Sequence, residues 1–398
     1  MAFMTVVNGM AMLKNEDGIY SNFSSFNRFG IEFTKVVAKE RSGNYVSSPV
    51  SVNMVLSMAA LGAEGKTKSE LRESLHLPTD ESAVKDRYEK LIKNLESISD
   101  ADLIVASKIF TANTFELKNT FKDVTRKYFG SVAQSMDFSK TEESASKINN
   151  WAAQSTNNRI KELVKPAHIQ NAQMIMANAV YFKGEWADSF PTYLTKSKPF
   201  HISETSTKNV DMMSITGEYN WGPISQLGAK YLEIPYKSEN ASMFIILPNE
   251  LNGLTNIEEN YHQINFDELL NGQKSEVEVY LPKFSFENEL NLKTTLQKMN
   301  IKDMFETTAN FHGINDNAAL YANEVIQKTF ITVNEEGTEA AAVTEFIFVI
   351  AEIGMVGSSL GSSEVPKFTV DRPFIAVIVA KFAKTIPLFN ARIVDPTA

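Results

Sequence analysis

The apolar residues of this chain change their spacing part-way along it. Up to residue 165 they recur mostly at three and four, the period of an amphipathic helix; from Met174 onward they alternate or run in short blocks, the period of strands. Ser47-Ser48-Pro49 precedes an apolar helix from Val50 to Leu61, with proline in the first turn, where its missing N–H had no partner. Gly62 and Gly65 read as the stop residues of that helix. Ser139 and Glu142 have the spacing of a capping box, and Ala145, Ile148, Trp151, Ala152 and Ser155 follow on one helical face. Met174 to Phe182, Met243 to Pro248, Val277 to Leu281, Phe374 to Val379 and Ile386 to Ile393 read as strands. Leu290, Leu292, Leu296 and Met299 mark one interrupting helix. Helices first and many strands later make an α+β class with large antiparallel or mixed sheets. No internal repeat and no proline- or glycine-rich linker divides the 398 residues, so one large domain is expected despite the length.

Charge and composition narrow the function. There are 39 Lys and Arg against 48 Asp and Glu, a formal charge of −9, which disfavours nucleic acid and anionic membranes as partners. A small basic cluster, Lys85, Arg87, Lys90 and Lys93, is interleaved with Asp86, Glu89 and Glu96; it reads as a solvated mixed face, with polyanion binding the weaker alternative. With no cysteine there is no disulfide, no thiolate metal site and no cysteine nucleophile, and no statement about redox compartment. Met54 to Ala63, the best apolar run, is far short of the ~18–20 residues of a spanning helix. Residues 1–22 read as an N-terminal segment, either a signal or a disordered lead; Met1 to Leu13 lacks the positive start of an export signal. Asn22-Phe23-Ser24 and Asn240-Ala241-Ser242 are glycosylation sequons, of use only in an exported protein.

Catalytic patterns fail on their mechanics. Gly357-Ser358-Ser359-Leu360-Gly361 matches a nucleophile elbow, but no histidine follows His312 to serve it. Gly65-Lys66-Thr67 ends like a P-loop, but Ala60 stands where the loop needs glycine. His76, His168, His201, His262 and His312 are too scattered for a zinc-helix motif. No enzyme activity, metal or cofactor is expected.

The informative segment is Val333-Asn334-Glu335-Glu336-Gly337-Thr338-Glu339-Ala340-Ala341-Ala342-Val343-Thr344, followed by Glu345 and the apolar run Phe346 to Ala351. As a strand, 338–348 turns Thr338, Ala340, Ala342, Thr344, Phe346 and Phe348 to one face and Glu339, Ala341, Val343, Glu345 and Ile347 to the other. Small side chains ease entry between existing strands, and Gly337 gives hinge freedom. An ordinary sheet strand beginning at Phe346 fits the pattern as well.

The segment 334–342 resembles the proximal hinge of a serpin reactive-centre loop. Further resemblances run through the chain: Asn44 with Ser48-Pro49-Val50-Ser51; Asn178-Ala179-Val180-Tyr181-Phe182-Lys183-Gly184-Glu185-Trp186; Leu281-Pro282-Lys283-Phe284; Asp371-Arg372-Pro373-Phe374; and Leu388-Phe389-Asn390-Ala391-Arg392. The resemblance implies a single domain over 23–398, with N-terminal helices packed on a large central mixed β-sheet plus smaller sheets. An exposed reactive-centre loop, about 337–366, lies near the C-terminus. It implies an irreversible suicide-substrate inhibitor: a protease cleaves the loop, is held as an acyl-enzyme, and is carried off as the loop enters the sheet as a strand. Glu335, Glu336, Gly337, Thr338, Glu339, Ala340, Ala341 and Ala342 would be the hinge, and Ser48, Ser51, Asn178, Trp186 and Gln327 the sheet-opening region. Gln327 stands where the family commonly has histidine, and Ser48, Ser51 and Asn178 are its expected neighbours; glutamine both donates and accepts. Val343 and Ala391 also depart from the smaller residues common there.

The family pattern, counted from Gly337, puts the scissile bond between Ala351 and Glu352. The loop is longer than is typical, so Phe348, Ile350, Ile353 and Met355 stay as alternatives. No Lys or Arg occurs between Thr338 and Pro366, so a trypsin-like pocket would keep an unpaired aspartate. The expected partner is a serine protease with small or apolar preference, elastase-, chymotrypsin- or subtilisin-like. A cysteine protease target, or a non-inhibitory carrier, storage or chaperone role, are the alternatives. A monomer working outside the cell is expected, with the cytoplasm as the other location.

Overall fold

A computed structural model describes residues 18–98, 101–316, 320–338 and 364–398. The first half runs α1 (Gly18–Glu40), β1 (Tyr45–Ser47), α2 (Pro49–Leu61), α3 (Gly65–Ser74), α4 (Glu81–Glu96), β2 (Ala101–Ala112), α5 (Asn119–Phe129), β3 (Gln134–Met136), α6 (Thr141–Ser155), α7 (Pro166–Ile169) and β4 (Met174–Glu185). Next come β5 (Lys196–Ser203), β6 (Ser206–Ile224), β7 (Ala229–Pro235), β8 (Ala241–Pro248), α8 (Leu254–Glu259), α9 (Phe266–Leu269), β9 (Lys274–Pro282), β10 (Phe284–Asn291) and α10 (Lys293–Lys298). The chain closes with β11 (Ala322–Val333), β12 (Gly337–Thr338), β13 (Lys367–Thr369), β14 (Phe374–Lys381) and β15 (Thr385–Ile393).

Two sheets organise these elements. The central one has the order β10-β11-β12-β4-β2-β3, and β11 also pairs directly with β4. The second has the order β1-β15-β14-β8-β7-β6-β9-β13, with β5 on β6. Helix α2 is apolar on nearly every side, and Pro49 to Ala60 are all buried. Such a helix has no solvent face to offer and belongs inside; it packs against α1, β2, β4 and β15. Alternation along β4 divides the core. Met174, Met176, Val180 and Phe182 join the α2 side, while Ile175, Ala177 and Ala179 join a smaller cluster under α6, against which Trp151 packs. No helix among the described residues is long and apolar enough to cross a membrane.

Several local expectations need correction. Residues 101–112 form a central strand inside the half that reads as helical; its pairing with β4 outweighs local pattern. Leu290 lies in β10, and the helix starts only at Lys293, because Phe284 to Asn291 are committed to register with β11. Ser139 caps nothing: its hydroxyl donates to Asp137 Oδ1 at 2.6 Å, and α6 begins without a side-chain cap. Gly62 does follow α2, but Gly65 opens α3 rather than ending a helix. Arg87 leaves the basic cluster: it is buried, donates to Ser25 Oγ at 2.8 Å and lies over the Phe26 ring. Lys93 is paired with Glu89 at 2.7 Å, which leaves a mixed rather than a polycationic face.

Candidate functional site at the fork of the central sheet

Strands β4 and β11 run parallel, in continuous register from Ile175 opposite Glu324 to Tyr181 opposite Phe330, with a one-residue irregularity before it where Met174 meets Ala322. Above that point they separate, and β12 stands between them. Gly337 pairs with Glu185 and Thr338 with Gly184 on one side, and Thr338 with Val333 on the other. The sheet is therefore closed along most of the seam and forked at one end, with a two-residue wedge in the fork.

The wedge is tied down from several directions. Asn334 Oδ1 accepts from the backbone N–H groups of Glu336 and Gly337, both at 3.1 Å, which turns the chain back into the sheet. Trp186 Nε1 donates to Asn334 O at 2.9 Å, and its ring stacks on Tyr236 with centroids 4.7 Å apart. The Tyr236 hydroxyl meets Thr338 Oγ1 at 2.7 Å, and both residues are fully enclosed. Glycine at 337 is a matter of approach: a Cβ there would stand 2.1 Å from Gly184 O. Glu335 accepts from Thr195 Oγ1 at 2.7 Å and pairs with Lys283 at 3.0 Å. Burial works to raise its pKa, but the bonds from Thr195 and Lys283 outweigh it, and the carboxyl is held below its ordinary value.

That shift has a sign. A depressed carboxyl pKa contributes stability above the unfolded value and loses it as pH falls through the folded one. Glu335→Gln is expected to be less stable than the parent at pH 6 and to converge with it as pH falls below about 4. Thermal unfolding of both proteins across that range checks this; a constant difference would rule it out.

Below the fork, on the α2 side, lies a closed polar cluster. Gln327 on β11 accepts from Ser48 N at 3.0 Å; its Nε2 reaches Ser48 O at 3.0 Å, Ser51 Oγ at 2.9 Å and Asn178 Oδ1 at 2.7 Å. Asn178 on β4 also accepts from Ser51 Oγ at 2.7 Å and donates to Ser107 Oγ on β2 at 2.8 Å. Ser48, Ser51, Asn178 and Gln327 are fully buried. The cluster joins β2, β4 and β11 to the start of α2, so it spans the seam. The sequence motifs bring Gln327 together with Ser48, Ser51 and Asn178, and the structure adds Ser107. Trp186 belongs instead to the fork. Tyr236 and Thr195 carry no sequence signal of their own, while Asn334 and Lys283 sit in quoted motifs without a role read from them. Glu339, Ala340, Ala341, Ala342, Phe348, Ile350, Ala351, Glu352, Ile353, Met355 and the Gly357–Gly361 pattern lie outside the described residues.

Comparison with known proteins covers most of the chain. The family model described as Serpin (serine protease inhibitor) matches residues 24–396. The chain belongs to the serpin family. Among similar serpins, alaserpin of Manduca sexta is 37% identical over 371 residues, 92% of this chain and 91% of that protein. Antitrypsin of Bombyx mori is 35% identical, covering 86% of this chain and 88% of that one. Serpin48 of Tenebrio molitor has a solved structure with a TM-score of 0.85 and 29% identity, covering 96% of this chain and 100% of that chain. The α+β architecture described above is the serpin fold.

Proposed function

We propose that this serpin is an irreversible inhibitor of serine proteases with small or apolar primary specificity, and that it works by inserting its cleaved loop at the β4–β11 fork. The observation that carries the reading is the wedge itself: two residues of the segment already occupy the seam between two strands that remain paired below. Each further residue of the segment takes one step down β4. Ala340 then meets Phe182, Ala342 meets Val180, Thr344 meets Asn178 and Phe348 meets Met174, the first residue of the strand. Paired residues share a face, so Thr338, Ala340, Ala342, Thr344, Phe346 and Phe348 turn toward α2. The residues nearest the fork are small, and Thr344 arrives between Asn178 and Gln327, whose direct bond must open to admit it. The Thr344 hydroxyl supplies a donor and an acceptor to that cluster in exchange.

Insertion to Phe348 spans about 40 Å of strand. Ala351 then lies just past the end of β4, which favours Ala351–Glu352 as the cleaved bond. The protease's nucleophile adds to the Ala351 carbonyl, the peptide bond breaks, and Glu352 leaves as a new amine. An ester joins enzyme to inhibitor, and water would release it if insertion were slow. The trap is kinetic, so the intact form persists by rate.

Incubation with pancreatic elastase, chymotrypsin and a subtilisin tests this. The expected product is a covalent complex that survives SDS, together with a C-terminal peptide beginning at Glu352. Cleavage by all three without such a complex would sink the inhibitory reading. A peptide beginning elsewhere would move only the bond.

A further inference from the structure

The chain runs out of the central sheet at Thr338 and enters the second sheet at Lys367. The surface between those two points is built from a single 3-10 turn, Thr192–Leu194, and the first residues of β5. At one end Thr195 Oγ1 donates to Glu335 Oε1 at 2.7 Å and the Phe190 N–H donates to Glu335 O at 2.8 Å, so both flanks of the turn are fixed beside the wedge. At the other end Lys198 Nζ lies 3.6 Å from the centroid of the Tyr280 ring, and Tyr280 is the register partner of Thr369 on β13. Tyr193 is held up by this frame and is 72% exposed, the one large apolar side chain among the described residues that stands clear of the surface. Lys196 follows it and is exposed, and alternation puts Lys196 and Lys198 on one face of β5. Neither lysine pairs with a carboxylate among the described residues. The carboxylates at hand are taken: Glu335 by Thr195 and Lys283, Glu278 by the Tyr280 hydroxyl and Lys367.

We infer that Tyr193, Lys196 and Lys198 form a second contact surface for the target protease, outside its cleft, and that this surface fits a protease whose cleft is bordered by carboxylates. The inference rests on the inhibitory reading above and adds the surface chemistry of the partner to it. An enzyme that holds the chain between Thr338 and Lys367 in its cleft stands over the ground between those two points, where Tyr193 and the lysines are. A lone exposed aromatic is ordinary on a protein surface; this one has a fixed base, and covering it costs little conformational freedom because only two side-chain angles are involved. Aromatic anchors of that kind carry much of the energy of protein interfaces. The lysines supply the sign. The chain as a whole carries −9, so an anionic enzyme is repelled except where ammonium groups stand unpaired. Two such groups beside the loop turn the enzyme into the orientation that brings its cleft to the loop. Their charge acts on the encounter and not on strand insertion, because β5 pairs with β6 and not with β4 or β11.

The test measures the second-order rate of inactivation and the stoichiometry with whichever of elastase, chymotrypsin and subtilisin forms the SDS-resistant complex. Each enzyme is used native and with its surface lysines succinylated, which turns cations into carboxylates, and each rate is normalised to cleavage of a small peptide by the same preparation. Lys196→Gln with Lys198→Gln is expected to lower the rate with the succinylated enzyme ~5- to 10-fold at low salt, to change it less than ~2-fold with the native enzyme, and to lose the difference at high salt. Tyr193→Ala is expected to lower both rates ~5-fold, and Tyr193→Phe to restore them. The number of inhibitor molecules used per protease stays at the parent value throughout, since insertion is untouched. An unchanged rate for the lysine pair or for Tyr193→Ala, or a loss with the lysine pair that is the same for both forms of the enzyme, would overturn the surface while leaving inhibition standing. A parent that forms the complex with none of the three enzymes would overturn the inhibitory reading and this surface with it.

Discussion

Thr338→Arg is expected to turn the protein from a trap into a substrate. Thr338 is fully buried in the wedge, hydrogen-bonded to the Tyr236 hydroxyl beside the Trp186 ring. It is the first residue that must be seated before any more of the segment can follow. A guanidinium at that place would be enclosed beside Tyr236 and Trp186, and burial of an unpaired charge costs several kcal/mol. A barrier raised by ~3 kcal/mol slows insertion about 100-fold. Hydrolysis of the acyl-enzyme then wins the race, and at least ~10 molecules should be cleaved for each protease inactivated. Thr338→Ser, which keeps the hydroxyl and the volume small, should retain the parent stoichiometry. The measurement is a titration of residual protease activity against inhibitor, with the cleaved fraction read on a gel. An unchanged stoichiometry for Thr338→Arg would mean that the fork is not the entry point.

Asn178→Leu should be among the most destabilising single changes in the intact protein. Its side chain is the hub of the cluster across the seam, accepting from Ser51 and Gln327 and donating to Ser107. Leucine is close in volume but leaves Ser107, Ser51 and Gln327 with fewer partners in a place water does not reach. Each orphaned polar group costs about 1–3 kcal/mol, so a loss of ~3 kcal/mol or more is expected in the unfolding of the intact form. Ser107→Ala alone should cost less. The double variant should fall short of the sum of the two, because both remove one shared hydrogen bond. Additive losses would mean that the two residues act independently.

Much of the site was legible because its chemistry is local. Gly337 with Thr338 and the alanines after them mark a segment able to enter a sheet. The pairing of Gln327 with Ser48, Ser51 and Asn178 is not local, and it was the family resemblance that pointed to it. Elsewhere a remote partner overrules the local pattern: β2 is a strand because β4 offers it a full ladder of hydrogen bonds, and Arg87 is buried because Ser25 and the Phe26 ring receive it. Glu335 shows both sides of this. Its place in the motif is plain from sequence, but its anchoring to Lys283 and Thr195 joins residues 52 and 140 positions away.

The order of residues alone determined the class of fold, helices then strands, and the small-residue segment near the C-terminus, since period and side-chain size need no neighbours to be read. Only the tertiary structure decided where the sheet forks, which residues wedge it, and which cations stand beside it. Strand register is fixed by pairings between distant parts of the chain, and a slip of one residue would turn every side chain to the other face.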